Sequence, residues 1–312
     1  MSKVAFIFPG QGAQYVGMAK DFYDKYDECK AIIDEADECM DFDLKKILFE
    51  ENDLINKTEY TQAAMLAAEC CILKAVEMKG IKADITAGLS LGEYAALVAA
   101  RAISFSDAMK LVRKRGIYME KEVPAGKGGM AAVIGLDSKI IDDTCEKITK
   151  ESGKSVAAAN YNCPGQLSCA GAVEELDAFV DAIKAAGGRA VKLAVSGAFH
   201  TPFMEQTTQV LADKLETMEV NAPKLTLYAN LTGEVYPSQK EQIIETVSKQ
   251  ASNSVRWEKT IRDMAANGVD TFIEVGAGTT LSGLVKRTLT DVKVFNVCDM
   301  ATLNDTVQNI NN

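Results

Sequence analysis

Histidine and tryptophan are the scarcest side chains of this 312-residue sequence, with one of each, and the one histidine is His200. The acidic helical stretch over residues 17–51 has no histidine nearby. Its carboxylates therefore indicate a solvated surface, and we expect no metal site. The loop after the first apolar stretch has neither the Gly-x-Gly-x-x-Gly nor the Gly-x-x-x-x-Gly-Lys pattern. Neither a dinucleotide site nor a P-loop is indicated, and we predict no cofactor.

Long apolar runs, surplus positive charge and Cys-x-x-Cys pairs are absent as well. Without a run of 18 apolar residues, we expect no membrane partner or membrane-spanning segment. A net charge of −10, from 34 Lys and Arg against 44 Asp and Glu, argues against nucleic acid as a partner. Eight unpatterned cysteines in so large a chain indicate reduced thiols, and the start of the chain resembles no signal peptide. We therefore expect a cytoplasmic protein.

Apolar stretches with strand character alternate with helical stretches along the chain. This order predicts an α/β fold in which helices cover a mostly parallel sheet. The strands of that sheet are expected at residues 4–8, 85–88, 225–229, 272–275 and 293–297. After the second strand and the alanine-rich helical stretch that follows it, Ser106 is expected to cap another helix, which runs to Val123.

A glycine cluster at residues 126–129 marks a change in the character of the chain. The next elements follow the order β-α-β-β-α-β, which is the ferredoxin-like arrangement. The sequence therefore predicts a small ferredoxin-like subdomain over residues 128–195. It is inserted into a large hydrolase-like α/β catalytic domain made of residues 1–127 and 196–312.

The sequence from Gly88 to Gly92 has the pattern Gly-x-Ser-x-Gly, with Ser90 at its centre. An apolar stretch with strand character precedes it, and an alanine-rich helical stretch follows. Strand, sharp turn and helix form the context of a nucleophile elbow, in which the strained turn exposes the serine hydroxyl. The pattern alone is short and indicates acyl chemistry of no particular kind.

A serine hydroxyl needs an adjacent base at neutral pH, and histidine is the usual one. If Ser90 uses a histidine, the base must be His200. Among the carboxylates, Glu274 and Asp270 could orient the imidazole, and the residue spacing does not choose between them. The backbone N–H of Leu91 is the expected first oxyanion-hole donor. The second is expected from Gln11, whose glycine-containing loop is otherwise an ordinary strand-to-helix turn.

Arg113 and Arg115 lie two apart on one predicted helix and so face different directions. At most one of them can point toward Ser90. In an acyl-transfer pocket, an arginine would bind a second, free carboxylate through two hydrogen bonds. The more common alternative is a solvated basic helix surface.

Five segments together resemble the malonyl-CoA:acyl-carrier-protein transacylases, and they occur in that family's order across residues 4–287. The segments are FPGQGAQ at 8–14, GLSLGEY at 88–94, RG at 115–116, GAFHTP at 197–202 and EVGAG at 274–278. The resemblance implies ping-pong transfer of a malonyl group from coenzyme A, through Ser90, to the phosphopantetheine thiol of acyl carrier protein. It implies that His200 is the base and that Arg115 binds the malonyl carboxylate. It also implies that Gln11 and Leu91 supply the oxyanion-hole amides.

The resemblance assigns further residues around the substrate. It implies that the main-chain carbonyl of Gln250 orients the histidine in place of a carboxylate. Asn160 and Asn162 match a segment that lines the cleft from the small subdomain. Leu91 and Phe199 match positions that shape the acyl pocket, and their bulk favours malonyl over methylmalonyl donors, by about 1–3 kcal/mol for one methyl group.

One position departs from the family, because Leu89 stands where a histidine usually precedes the serine. This departure leaves fine rate and donor preference open. The partners implied are malonyl-CoA and acyl carrier protein, and we expect a monomer that serves fatty acid synthesis. The alternatives are a trans-acting polyketide acyltransferase, a serine thioesterase or hydrolase with the same Ser–His pair, and a carrier-docking subunit with an inactive site.

Overall fold

Buried strands and covering helices alternate through most of the chain. A computed structural model describes residues 3–124, 126–193 and 197–310. Its strands are β1 (Lys3–Phe8), β2 (Ile85–Gly88), β3 (Gly128–Ile134), β4 (Val156–Cys163), β5 (Gln166–Ala172), β6 (Arg189–Lys192), β7 (Thr226–Leu227), β8 (Val269–Val275) and β9 (Lys293–Val297). Its α-helices are α1 (Lys20–Lys25), α2 (Asp27–Glu38), α3 (Leu44–Phe49), α4 (Thr58–Met78), α5 (Gly92–Ala99), α6 (Phe105–Glu122), α7 (Ser138–Ser152), α8 (Val173–Ala185), α9 (Glu205–Glu216), α10 (Lys240–Lys249), α11 (Trp257–Ala266), α12 (Thr280–Thr288) and α13 (Met300–Asn309).

The larger sheet has the strand order β7-β2-β1-β8-β9, and every pairing in it is parallel. In register, Phe8 pairs with Gly88 and Ile7 with Glu274, so β1, β2 and β8 end at the same edge. Apolar side chains are buried on both faces, as parallel sheets require. The predicted α/β fold with a mostly parallel, helix-covered sheet is confirmed.

The smaller sheet is antiparallel, with the strand order β4-β5-β3-β6. Helices α7 and α8 pack against it and bury a separate apolar cluster that includes Ile141 and Phe179. The predicted order β-α-β-β-α-β is therefore present over β3 to β6. The boundary that we predict between residues 195 and 196 lies outside the described residues, and the domain division stays a prediction.

Helix α6 packs closely against α4 at Gly116. A Cβ atom on Gly116 would lie 2.8 Å from Glu59 Cα, so only glycine allows the approach. The neighbouring residue, Arg115, is buried, with 1% of its surface exposed.

Several local predictions differ from the structure. The N-cap of α6 is Ser104 and not Ser106, because the Ser104 side chain accepts the Asp107 N–H three residues on. Strand β7 is limited to Thr226–Leu227 at the sheet edge, and α9 and α13 were not predicted. Among the described residues, no helix has both the length and the apolar character to cross a bilayer.

Candidate active site

Ser90 lies on the turn between β2 and α5, with a φ angle of +54°. A Cβ atom on Gly88 would lie 1.9 Å from the backbone carbon of Gly92, and one on Gly92 would lie 2.1 Å from the Phe8 oxygen. Both positions therefore require glycine. The Asn230 side chain fixes the turn, because its Oδ1 accepts the Ser90 N–H at 2.6 Å. The strained turn directs the Ser90 hydroxyl into the cleft between the two sheets.

His200 contacts Ser90 directly, with 2.6 Å between Nε2 and Ser90 Oγ. Its Nδ1 lies 2.9 Å from the main-chain oxygen of Gln250. A carbonyl oxygen only accepts, so Nδ1 carries the proton and the Nε2 lone pair faces the serine. Burial, and secondly the positive charge of Arg115, lower the pKa of His200 to about 4. The imidazole is therefore neutral at neutral pH and able to accept a proton.

The Arg115 guanidinium lies beside this pair and hydrogen-bonds to neutral groups. Its Nη2 donates to Ser90 Oγ at 3.1 Å and to Gln250 Oε1 at 3.0 Å, and its Nε has no partner within the described residues. Burial lowers its pKa. Arg113, two residues earlier, forms ion pairs with Asp41 and Glu59 on the other side of the helix. Arg115 is thus a buried cation with unused donors at the serine.

Gln11 and Leu91 follow the ends of β1 and β2 at the same sheet edge. The Gln11 side chain donates to Thr58 Oγ1 at 3.1 Å, which anchors its loop. Over the described ranges of the chain, neither the Gln11 nor the Leu91 backbone N–H donates to a protein acceptor. The Leu91 side chain is fully buried in the main core, and Leu89 lines the cleft instead. The prediction that the Leu91 side chain walls the acyl pocket is wrong. Leu91 immediately precedes the first residue of α5, and its side chain turns inward to the core.

The cleft above Ser90 has a volume of about 180 Å³ and separates the two sheets. Asn160 and Asn162 lie in it on alternate positions of β4, and Phe199 lies beside the histidine. Asn162 Nδ2 donates to Ser168 Oγ at 3.2 Å. The remaining lining residues are Gly10, Gln11, Leu89, Met119, Met130, Gln166, Ser168, Leu193, Thr280 and Leu284.

Sequence reasoning missed a buried polar group behind the serine, formed by Glu93, Asn230 and Tyr236. Glu93 accepts hydrogen bonds from Gln250 Nε2 at 2.6 Å, from the Asn230 N–H at 3.3 Å and from the Tyr236 hydroxyl. Burial raises the pKa of Glu93 to about 7, against the lowering effect of these hydrogen bonds. Glu93 belongs to the GLSLGEY segment but reads there as an ordinary helical carboxylate. Asn230 and Tyr236 carry no local signal, since they lie 137 and 143 residues further along the chain.

Glu274, one of the two carboxylates considered from the sequence, does not bond the imidazole nitrogens, which contact Ser90 and Gln250. Glu274 instead accepts the N–H groups of Leu281 and Ser282 at 3.0 and 2.7 Å, at the start of α12. The Gln250 carbonyl occupies the Nδ1 side of His200. Among the residues that the structure describes, no group of three His, Cys, Asp or Glu side chains could hold a metal ion.

Comparison with known proteins agrees with the architecture and with the motifs. The acyl transferase domain family matches residues 5–309. The malonyl CoA-acyl carrier protein transacylase of Bacillus subtilis (strain 168) is 39% identical over 312 residues, covering 99% of this chain and 98% of the relative.

Two solved structures are similar over almost their full lengths. A malonyl CoA-acyl carrier protein transacylase from Clostridium perfringens has a TM-score of 0.95 and 39% identity, with 99% of this chain and 98% of that chain covered. A malonyl-transacylase in complex with its type II PKS acyl-carrier protein has a TM-score of 0.94 and 37% identity, with 99% and 100% covered. The chain belongs to the acyl transferase family, in the group of the malonyl CoA-acyl carrier protein transacylases.

Proposed function

We propose that this enzyme transfers a malonyl group from coenzyme A to the phosphopantetheine thiol of an acyl carrier protein. The observation that carries the proposal is Arg115, a buried cation without a carboxylate partner in the described chain, 3.1 Å from Ser90 Oγ. A charge buried in this way is costly unless a partner compensates it. An acyl group with a free carboxylate supplies that partner once the group is attached to Ser90.

The first half-reaction acylates the serine. Ser90 Oγ attacks the thioester carbonyl while His200 Nε2 takes the hydroxyl proton, and the carbonyl oxygen becomes an oxyanion. The N–H groups of Gln11 and Leu91, which have no acceptor in the part of the chain that the structure describes, are proposed to hold that oxyanion. As the C–S bond breaks, His200 returns the proton to the coenzyme A sulfur. The Gln250 carbonyl keeps Nδ1–H in place throughout.

The second half-reaction reverses the first with a different thiol. The phosphopantetheine thiol gives its proton to His200 and attacks the Ser90 ester, which collapses to release the serine hydroxyl and the malonyl thioester. In both steps Arg115 binds the malonyl carboxylate through two hydrogen bonds. Asn160 and Asn162 are proposed to contact the thioester chain from β4, since both line the cleft above the serine.

Leu89 and Phe199 are proposed to limit branching at the malonyl α-carbon. Both line the cleft next to the reacting pair. A methyl branch is worth about 1–3 kcal/mol in such a pocket, so the preference for malonyl over methylmalonyl is expected to be strong but finite.

We propose fatty acid synthesis as the pathway. A polyketide carrier is the alternative, since one similar enzyme is in complex with a type II PKS acyl-carrier protein. All eight cysteines are unpaired thiols, which supports a reducing cytosol as the compartment. We further propose that the chain works as a monomer without a cofactor and that residues 128–195 form a separate subdomain.

The test compares malonyl-CoA with and without a phosphopantetheinylated acyl carrier protein, followed by intact mass spectrometry and by assay of free malonate. Transfer to the carrier with little hydrolysis is the expected result. Rapid release of malonate without the carrier would instead identify a thioesterase or hydrolase. If no acyl-enzyme forms, a carrier-docking subunit with an inactive site is the only one of the alternatives that remains.

A further inference from the structure

Glu93 lies behind the Ser90–His200 pair, with 1% of its surface exposed. All three of its hydrogen-bond partners donate to it. Gln250 Nε2 reaches Oε2, while the Asn230 N–H and the Tyr236 hydroxyl reach Oε1. An ionised carboxylate provides acceptors for all three donors, whereas protonation turns one of its oxygens into a donor as well.

Two of these partners also hold the catalytic pair. Gln250 Nε2 donates to the Ser90 main-chain oxygen at 2.7 Å, and the Gln250 main-chain oxygen accepts from His200 Nδ1. Asn230 Oδ1 accepts the Ser90 N–H, and Asn230 Nδ2 donates to the Gly88 oxygen at 2.6 Å. Glu93 is therefore linked to the elbow through two residues, by the side chain of Gln250 and by the backbone N–H and side chain of Asn230.

The acceptors around Gln250 fix the direction of its side-chain amide. Glu93 Oε2 and the Ser90 oxygen both require a donor, so Nε2 faces them. The amide oxygen Oε1 must then point the other way, where it accepts from Arg115 Nη2 at 3.0 Å. A glutamine at position 93 would place an NH₂ group against Nε2 and favour the reversed amide, which turns a donor toward the Arg115 cation.

We propose that Glu93 is a positioning residue for malonyl selectivity: it orients the Gln250 amide so that Oε1 holds the Arg115 guanidinium at Ser90. The proposal rests on the proposed function, because it assigns the alignment of the arginine that binds the malonyl carboxylate.

The test measures single-turnover acylation of the enzyme by malonyl-CoA and by acetyl-CoA in wild type, Glu93→Gln, Arg115→Ala and the double variant. Glu93→Gln is expected to lower the malonyl-to-acetyl rate ratio about tenfold, the effect of misplacing one charge-assisted hydrogen bond. Added to Arg115→Ala, it is expected to leave the ratio unchanged, because its effect on selectivity passes through the arginine. Glu59→Gln is the matched control, since Glu59 pairs with Arg113 and should not change the ratio.

The outcomes separate this proposal from the function on which it rests. If wild type forms no malonyl-enzyme, the proposed function fails. If wild type prefers malonyl and Arg115→Ala removes the preference, the proposed function stands. In that case, a Glu93→Gln variant with the wild-type ratio overturns the role of Glu93. Equal losses on both donors also overturn it, since they would show a merely structural carboxylate.

A second measurement needs no variant that could fail to fold. Tyr236, Gln250 and Asn230 hydrogen-bond to Glu93, and the titratable groups Arg115 and Tyr94 lie close enough to interact with it electrostatically. Because the pKa of Glu93 is about 7, lowering the pH through that value protonates it, and a surrounding donor must turn away. The wild-type malonyl-to-acetyl ratio should therefore fall with pH, while protonation of His200 affects both donors alike and cancels. A ratio that stays flat over roughly pH 6 to 8, where an ordinary carboxyl group does not titrate, overturns the proposal.

Discussion

Replacing Arg115 by alanine separates recognition of the malonyl carboxylate from the acyl-transfer chemistry. In the wild-type site the guanidinium is buried beside Ser90 and hydrogen-bonds only to neutral oxygens among the described residues. The substitution removes both the cation and its donors and leaves the Ser90–His200 hydrogen bond in place. A malonyl group would then bring an uncompensated carboxylate into the cleft, whereas an acetyl group would not.

The magnitude follows from the hydrogen bonds lost. A charge-assisted hydrogen bond contributes about 1.5–3 kcal/mol, and two of them at a bidentate site contribute about 3–5 kcal/mol. At about 1.4 kcal/mol for each factor of ten, acylation by malonyl-CoA should fall roughly 10²- to 5 × 10³-fold. Acetyl-CoA carries no carboxylate, so the substitution removes no bond between Arg115 and this donor, and its rate should fall by no more than about tenfold.

The assay is acylation kinetics with both donors, compared as kcat/KM. Arg113→Ala is the control on the same helix, because that side chain pairs with Asp41 and Glu59 away from the cleft. It should leave the kcat/KM of acylation unchanged for both donors. Equal losses for malonyl and acetyl donors in Arg115→Ala would refute the role of this arginine as a carboxylate ligand.

Three further predictions concern the base and the elbow. His200→Ala should slow acyl-enzyme formation by about 10²- to 10⁴-fold while malonyl-CoA still binds. Rapid-quench kinetics and a binding titration measure the two quantities, and lost binding with an unchanged rate would contradict the role of His200 as the base. With the pKa of His200 at about 4, the rate of acylation by acetyl-CoA, a donor without a carboxylate, should stay near its plateau down to about pH 5 and fall only below that, as the base becomes protonated; a midpoint at 6 to 7 with this donor would show an ordinary solvated histidine. Gly88→Ala should prevent folding, because its Cβ would lie 1.9 Å from the backbone carbon of Gly92. Gly283→Ala in α12 meets no atom within 4 Å and should raise the free energy of unfolding by about 0.5–1 kcal/mol. Soluble yield and thermal unfolding compare the two variants, and a normally folded Gly88→Ala would contradict the prediction.

The parts of the site that the sequence predicts best are those set by a local pattern. Glycines around Ser90 specify a tight turn whatever the rest of the fold does, and a single histidine leaves one possible partner for the serine. The strand order along the chain similarly indicates a covered parallel sheet. These features depend on a few neighbouring residues, so the periodicity and turn chemistry of the sequence report them.

The parts that the sequence does not predict depend on tertiary packing. Helical periodicity does not distinguish Arg115 from Arg113, and without the family resemblance only the fold shows that Arg115 is the arginine buried beside Ser90. The direction of the Leu91 side chain depends on how helix α5 leaves the elbow. Glu93 reads as a helical surface carboxylate until the fold brings Gln250 to it from 157 residues away.

The most direct test of the proposed chemistry is to locate the acyl group after a brief incubation with malonyl-CoA. The enzyme is quenched, digested and mapped by tandem mass spectrometry, with Ser90→Ala treated in parallel. We predict one malonyl group, on Ser90, that disappears when phosphopantetheinylated acyl carrier protein is added and never forms in Ser90→Ala. A malonyl group on another residue, or equal labelling of Ser90→Ala, would contradict the assignment of Ser90 as the nucleophile.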